Sequence, residues 1–223
     1  QRKILAQGEG GYMGVADTYI SDYYRETPQE GGSLMISSSG VRTPLLRFDL
    51  ESLDLPPHVV IKGARLGLYT TSQWHAGRTV TSLVYPLNAD WDVTKATWQD
   101  RSTDQAWSEP GAWGLGDDYR APAVASQELM AASEWYYYNL TELVKEWVQN
   151  PGDNDGILLR GEGTGSFTLS SSHGSSYKPQ LDIAYTEATA TFTPTNTPTP
   201  TSTPTATATP TSEGWAYLPV IIK

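Results

Sequence analysis

From Thr189 to Thr211 every odd-numbered residue is threonine, and Pro194, Pro198, Pro200, Pro204 and Pro210 fall between them. Such a run cannot build a core. Its prolines fix φ near the polyproline value and push each preceding residue toward extended backbone. Its β-branched threonines favour the same region, and it holds too few apolar side chains to bury. At about 3.1 Å per residue, about 24 such residues reach roughly 70 Å. The composition fits a passive linker. It also fits an O-glycosylated stalk, for which Thr193, Thr195, Thr197, Thr199, Thr201, Thr203, Thr205, Thr207, Thr209 and Thr211 are the acceptor candidates.

Beyond Gly214 the character changes. Trp215, Tyr217, Leu218, Val220, Ile221 and Ile222 form a short apolar stretch, far below the roughly 20 residues that span a bilayer. Its aromatic and β-branched density is that of a strand, and such a strand left in water is an aggregation hazard. Pro219 cannot donate to a ladder, so the strand belongs at an edge or inserted into a foreign sheet. The long tether points to burial outside its own body, in another copy or an envelope component. The alternative is a sorting or anchoring signal.

The rest of the chain reads as four segments with that tail: a lead-in at 1–14, a β domain at 15–187, the linker at 188–214 and the terminal strand at 215–223. Alternation with a period of two marks strands at Val15 to Ile20, Leu34 to Ile36, Pro44 to Leu50, a region of Val59 to Ile61 and Ala64 to Thr70, Thr79 to Leu87, Val124 to Met130, Trp135 to Leu140, Ile157 to Leu159, Ser166 to Ser170 and Gln180 to Tyr185. Asn88 to Tyr119 is a long loop holding Trp91, Trp98, Trp107 and Trp113; loops of that size are functional or packed by their own aromatics. One helix is predicted. Asn139, three residues before Glu142, resembles a capping box. Leu140, Leu143, Val144, Trp147 and Val148 share a face, and Asn150-Pro151-Gly152 ends it. The pattern is all-β: an antiparallel β-sandwich of jelly-roll type with one short helix.

The ordered series Ala16-Asp17-Thr18-Tyr19-Ile20, Leu45-Leu46-Arg47-Phe48-Asp49-Leu50, Ala64-Arg65-Leu66-Gly67-Leu68, Trp91 with Ala96-Thr97-Trp98, Asn139-Leu140-Thr141 with Val144 and Trp147, Gly156-Ile157-Leu158-Leu159 and Lys178-Pro179-Gln180-Leu181 is similar to the DNRLRE domain family. The match spans Val15 to Thr186. The resemblance implies a jelly-roll module of secreted bacterial proteins, some members of which bind carbohydrate beside polysaccharide lyases. The tail also resembles those of bacterial surface proteins in which a Thr/Pro run precedes a terminal Tyr-Leu-Pro strand.

A formal net charge of −10 argues against nucleic acid or anionic membrane as partners. With no cysteine there is no disulfide framework, thiol chemistry or cysteine zinc site. The chain begins at Gln1, which fits removal of a signal peptide or an imposed boundary, and the composition suits a secreted, extracellular or cell-surface protein. His58, His75 and His173 are isolated, and no phosphate loop or nucleophile elbow occurs, so no enzyme is expected. Asp90 with Asp92 and Asp117 with Asp118 read as turn acids; Arg47 and Asp49 read as a structural pair. Asp153-Asn154-Asp155-Gly156 reads as a tight turn, with Asp153 and Asp155 the one metal candidate, for calcium; no other cofactor is expected.

Trp74, Trp107, Trp113 and Tyr119 fall in segments read as loops and are the carbohydrate-contact candidates, whereas Trp91, Trp98 and Trp147 read as core. The leading functional expectation is a filament subunit assembled head to tail by insertion of the terminal strand into a neighbouring copy. The alternative is a carbohydrate-binding module tethered to the cell envelope. Mass spectrometry of the mature chain separates a strand from a signal: a retained Trp215–Lys223 is expected for the strand, and its removal marks a signal.

Overall fold

The computed structural model describes residues 1–187 apart from 30, 54 and 56–58. Contacts divide the chain into Gln1–Ala188 and Thr189–Lys223. The threonine candidates and Trp215 to Ile222 lie outside the described residues, as does His58.

Period-two alternation builds two antiparallel sheets. The five-stranded sheet runs in the order β2 (Val15–Ser21), β4 (Arg42–Phe48), β11 (Ile157–Gly163), β6 (Val80–Pro86), β9 (Ala125–Leu129). The six-stranded sheet runs β1 (Arg2–Ala6), β13 (Gln180–Glu187), β5 (Val59–Trp74), β12 (Ser166–Ser170), β3 (Ser33–Ser37), with β10 (Trp135–Asn139) also paired to β5. From β2 to β6 each successive strand changes sheet, so the chain wraps around one core in the manner of a jelly roll. β5 is the spine: residues 59–67 pair with β13, 65–69 with β10 and 70–74 with β12. The lead-in is not separate from the sandwich. Its β1 ladders on β13 and buries Leu5 in the core.

One set of alternate side chains fills the space between the sheets: Leu46 and Phe48, Val80 and Val84, Ile157 and Leu159 from one side, Leu66 and Leu68, Phe167 and Leu169, Leu181 and Ile183 from the other. The helix α1 (Thr141–Gln149) is too short to persist alone. It is held by burying Leu143, Val144 and Trp147 in that core. It starts one residue later than a capping box at Asn139 requires. Leu140 occupies the cap position without a side-chain bond, and the Asn139 Oδ1 instead accepts from the Thr141 N–H (3.1 Å) and hydroxyl (2.6 Å). Thr141 is drawn aside because its Oγ1 accepts from the Ala64 N–H of β5 at 3.0 Å.

The second set of alternate side chains is also apolar on the five-stranded sheet. Ile20, Leu45 and Leu158 point outward, and the segment after β6 covers them with Leu87, Trp91, Ala96, Trp98, Trp107 and Ala112. This segment includes a small hairpin of β7 (Asp100–Ser102) and β8 (Gln105–Ala106). The Trp91 indole donates to the Asp155 carbonyl (2.9 Å) and the Trp107 indole to the Thr97 carbonyl (3.0 Å), so two indole donors are satisfied as they are buried. Gly111, at φ 84°, threads between two rings; a Cβ there would stand 2.5 Å from Trp98 Cζ2. The buried Asp118 carboxylate accepts from the N–H groups of Ser108 (2.7 Å), Glu109 (3.1 Å) and Gly114 (2.9 Å) and so sets the end of the cover.

Leu158→Ala is expected to destabilise the protein by about 3 kcal/mol, since it opens a cavity under a cover that cannot collapse onto a flat sheet. Denaturant unfolding checks the magnitude, and a red shift of tryptophan emission before global unfolding checks that the cover loosens first.

Candidate functional site

The four carbohydrate-contact candidates do not form one surface. Trp107 is 3 % exposed and locked in the second core, so no ligand stacks on it while the cover stays closed. Its period within an apolar cover, rather than its place in a loop, decides this. Tyr119 is half-buried, edge-on to Tyr85 at 5.2 Å. Trp113 is 40 % exposed, but one face lies 3.4 Å from the Arg160 guanidinium, which also sits 4.8 Å from Tyr119. Arg160 projects outward from β11 and donates to the Ala112 carbonyl, and burial pushes its pKa down to about 10. At neutral pH it stays charged, and it is a cation–π anchor for the cover. Trp74 is not in a loop: it ends β5, exposed, with the Arg42 guanidinium 5.9 Å away.

The acidic candidates are also structural in their contacts. Asp153 lies in a single turn of 3-10 helix, Pro151–Asp153. Asp155 offers its carbonyl to Trp91, and the pKa of its carboxyl is raised by burial first and by Asp90 second. Among the described residues no group of three or more His, Cys, Asp or Glu side chains is placed to hold a metal ion. Arg47 does not pair with Asp49. It pairs with Asp90 and lies 5.4 Å from the Trp91 ring, while Asp49 Oδ1 accepts from the N–H groups of Glu51 (2.9 Å) and Ser52 (3.2 Å).

Asp17, Ser172 and His173 come together, but not as a relay. Ser172 donates its hydroxyl to Asp17 Oδ1 (2.7 Å) and its N–H to Oδ2 (2.6 Å), and His173 lies beside the same carboxylate rather than between the two. The Asp17 side chain is fully covered, which raises its pKa, opposed by the Ser172 bonds and His173. The group fastens the segment between β12 and β13 to β2.

The outer face of the six-stranded sheet differs from that of its partner. Here the outward set is not aliphatic but aromatic and polar. Tyr69 of β5 stands opposite Trp135 of β10, and Tyr137 follows two residues along. Tyr177 enters from the segment before β13 and stacks on Tyr69 with centroids 4.1 Å apart. Trp135 meets Tyr69 edge-on at 5.4 Å and stacks with Tyr137 at 6.0 Å. Tyr137 is 38 % and Tyr177 54 % exposed. Tyr177 holds φ 54°, a left-handed conformation costly for a residue with a Cβ. Gly67 lies at the middle. A Cβ there would come 3.0 Å from Tyr137 Cε1 and 3.1 Å from Gln180 Cγ, so its absence lets both side chains lean across the strand.

Beside the strip is a depression of about 490 Å³ lined by Arg2, Gly63, Ala64, Arg65, Tyr137, Asn139, Thr141, Asp182 and Ala184. Arg65 sits over the Tyr137 ring at 4.3 Å and reaches Asp182 at 3.4 Å; Arg2 reaches the same carboxylate. These hydrogen bonds and charges, that of Arg2 foremost, hold the pKa of the Asp182 carboxyl below its ordinary value. The face therefore offers ring faces, a carboxylate, two guanidiniums and two side-chain amides. The signal was present in the sequence: the run Trp135-Tyr136-Tyr137-Tyr138 at period two puts Trp135 and Tyr137 on one face and the buried Tyr136 and Tyr138 on the other. No helix among the described residues is long and apolar enough to cross a membrane. No protein-family model matches the chain, and no curated protein does.

Because the folded-state pKa of Asp182 is lowered, its contribution to stability is present above about pH 4, the unfolded value, and is lost as pH falls through the folded one. Arg2→Met with Arg65→Met is expected to raise the Asp182 midpoint, read by carboxyl carbon NMR, and to flatten the acid limb of a stability–pH curve. High salt is expected to mimic the double variant in part, since the guanidiniums are half-exposed.

Proposed function

We propose that the protein is a non-catalytic glycan-binding module of the secreted or cell-surface kind, and that the outer face of the six-stranded sheet is its binding face. The observation that carries this reading is the strip of Tyr69, Trp135, Tyr137 and Tyr177 left uncovered beside a polar depression. Soluble proteins scatter exposed aromatics singly; a contiguous set on one sheet marks an interaction surface. A pyranose ring suits it. Its axial C–H face is apolar and lies on an aromatic ring, while its equatorial hydroxyls reach sideways for bidentate partners such as Asp182, Arg65, Asn139 and Gln180. The left-handed Tyr177 supports the same reading, since backbone strain concentrates where a side chain is held out for a ligand. The resemblance to a family with carbohydrate-binding members agrees with it.

A glycan array followed by calorimetry tests the proposal. Tyr137→Ala and Tyr177→Ala are each expected to lower affinity at least tenfold, about 1.4 kcal/mol, with the melting temperature nearly unchanged because both rings are exposed. Trp74→Ala, away from the strip, is expected to bind as the parent does. Binding to no glycan, or equal binding by the two tyrosine variants, would overturn it.

A further inference from the structure

β1 is an edge strand with one side open. Gln1 and Tyr185 exchange both backbone bonds, Gln1 N to Tyr185 O at 2.8 Å and Tyr185 N to Gln1 O at 3.0 Å. Antiparallel alternation then assigns Lys3 and Leu5 to the ladder with β13 and turns the N–H and C=O groups of Arg2, Ile4 and Ala6 away from the sheet. Among the described residues no strand pairs with that side. Beside it lies a cleft of about 620 Å³ in which Ile4, Leu5, Tyr12, Met13 and Leu53 share the walls with the polar Lys3, Glu9, Asp49 and Ser52. Met13 is 68 % exposed at its mouth. An open edge next to a cleft with room for side chains fits the accepting half of a strand-addition joint.

The chain also carries a donating half. Leu218, Val220 and Ile222 alternate with Tyr217, Pro219 and Ile221. With the first set turned to β1, three backbone donors meet the three open residues, and Pro219, which has no N–H, falls in the set that faces away. In the antiparallel arrangement Val220 then lies opposite Ile4. The Thr/Pro run between the β domain and this segment favours extended backbone, and its reach of roughly 70 Å is enough to deliver the segment to another copy.

We infer that the β1 edge and its cleft receive residues Trp215–Ile222 of a second copy of the chain. The joint is heterologous: donor and acceptor are different surfaces, so each copy keeps one of each free and the assembly grows without closing. It shares only Arg2 with the glycan site, using that residue's backbone rather than its guanidinium, and either reading can fail alone.

The chain has no native cysteine, so cross-linking is clean. Full-length Ile4→Cys and full-length Val220→Cys are mixed, oxidised and read by mass spectrometry of the linked peptides. A disulfide between the two introduced thiols, joining position 4 of one chain to position 220 of another, is expected, since strand neighbours stand within disulfide reach. In sedimentation the parent is expected to grow in mass with concentration, and deletion of Trp215–Lys223 to leave a monomer. Ile4→Pro, which removes an outward N–H and spares the β13 ladder, is expected to weaken association at least tenfold. A parent that stays monomeric, assembly unaffected in a folded Ile4→Pro variant, or no 4–220 bond between the two mixed chains would each overturn the inference. The cross-link decides even where Ile4→Pro does not fold.

Discussion

The structure depends on how apolar side chains are divided between the two faces of each sheet. A sheet with one aliphatic face needs one partner layer; a sheet with two needs a second cover. The five-stranded sheet is of the second kind, because Ile20, Leu45 and Leu158 form a second buried cluster apart from the first core. Leaving them in water would cost on the order of 2 kcal/mol each. The chain covers them with a tryptophan-rich segment instead of a helix. That segment has few ladder bonds of its own, so it is held by indole donors, the Asp118 carboxylate and the Arg160 guanidinium.

The six-stranded sheet is of the first kind, and its outer face is the one proposed as the glycan site. Its aromatic rings are neither buried nor scattered. They touch one another, which restrains their orientation and would lower the entropic cost of binding a ligand there. Arg65 links the two chemistries of this face, lying over the Tyr137 ring while it pairs with Asp182. The same sheet ends at β1, whose Arg2, Ile4 and Ala6 turn their backbone groups away from β13. Under the two proposals one layer would carry a side-chain site on its face and a main-chain site at its edge, sharing only Arg2, by its guanidinium in the first and its backbone in the second.

Much of the framework was legible in the residue pattern. Strand positions, the single helix and the sandwich class follow from periods of two and 3.6, which are local properties of the backbone. The fate of the aromatics was not. Trp107 and Trp113 sit six residues apart in one segment, yet one is sealed and the other half open, because only one faces the sheet. The pair Arg47 and Asp49 looked natural on one strand, but Arg47 found Asp90, 43 residues further along.

The sequence by itself determined that an all-β body would precede a Thr/Pro run and an apolar segment, since composition and alternation decide what each stretch can bury. Tertiary structure decided which of two chemically similar aromatic sets is core and which is surface. Whether a ring is buried depends on the layer that packs over its sheet, and that layer comes from distant parts of the chain. Tyr137 and Tyr177 are 40 positions apart and belong to one strip only because β5 holds Tyr69 between their segments.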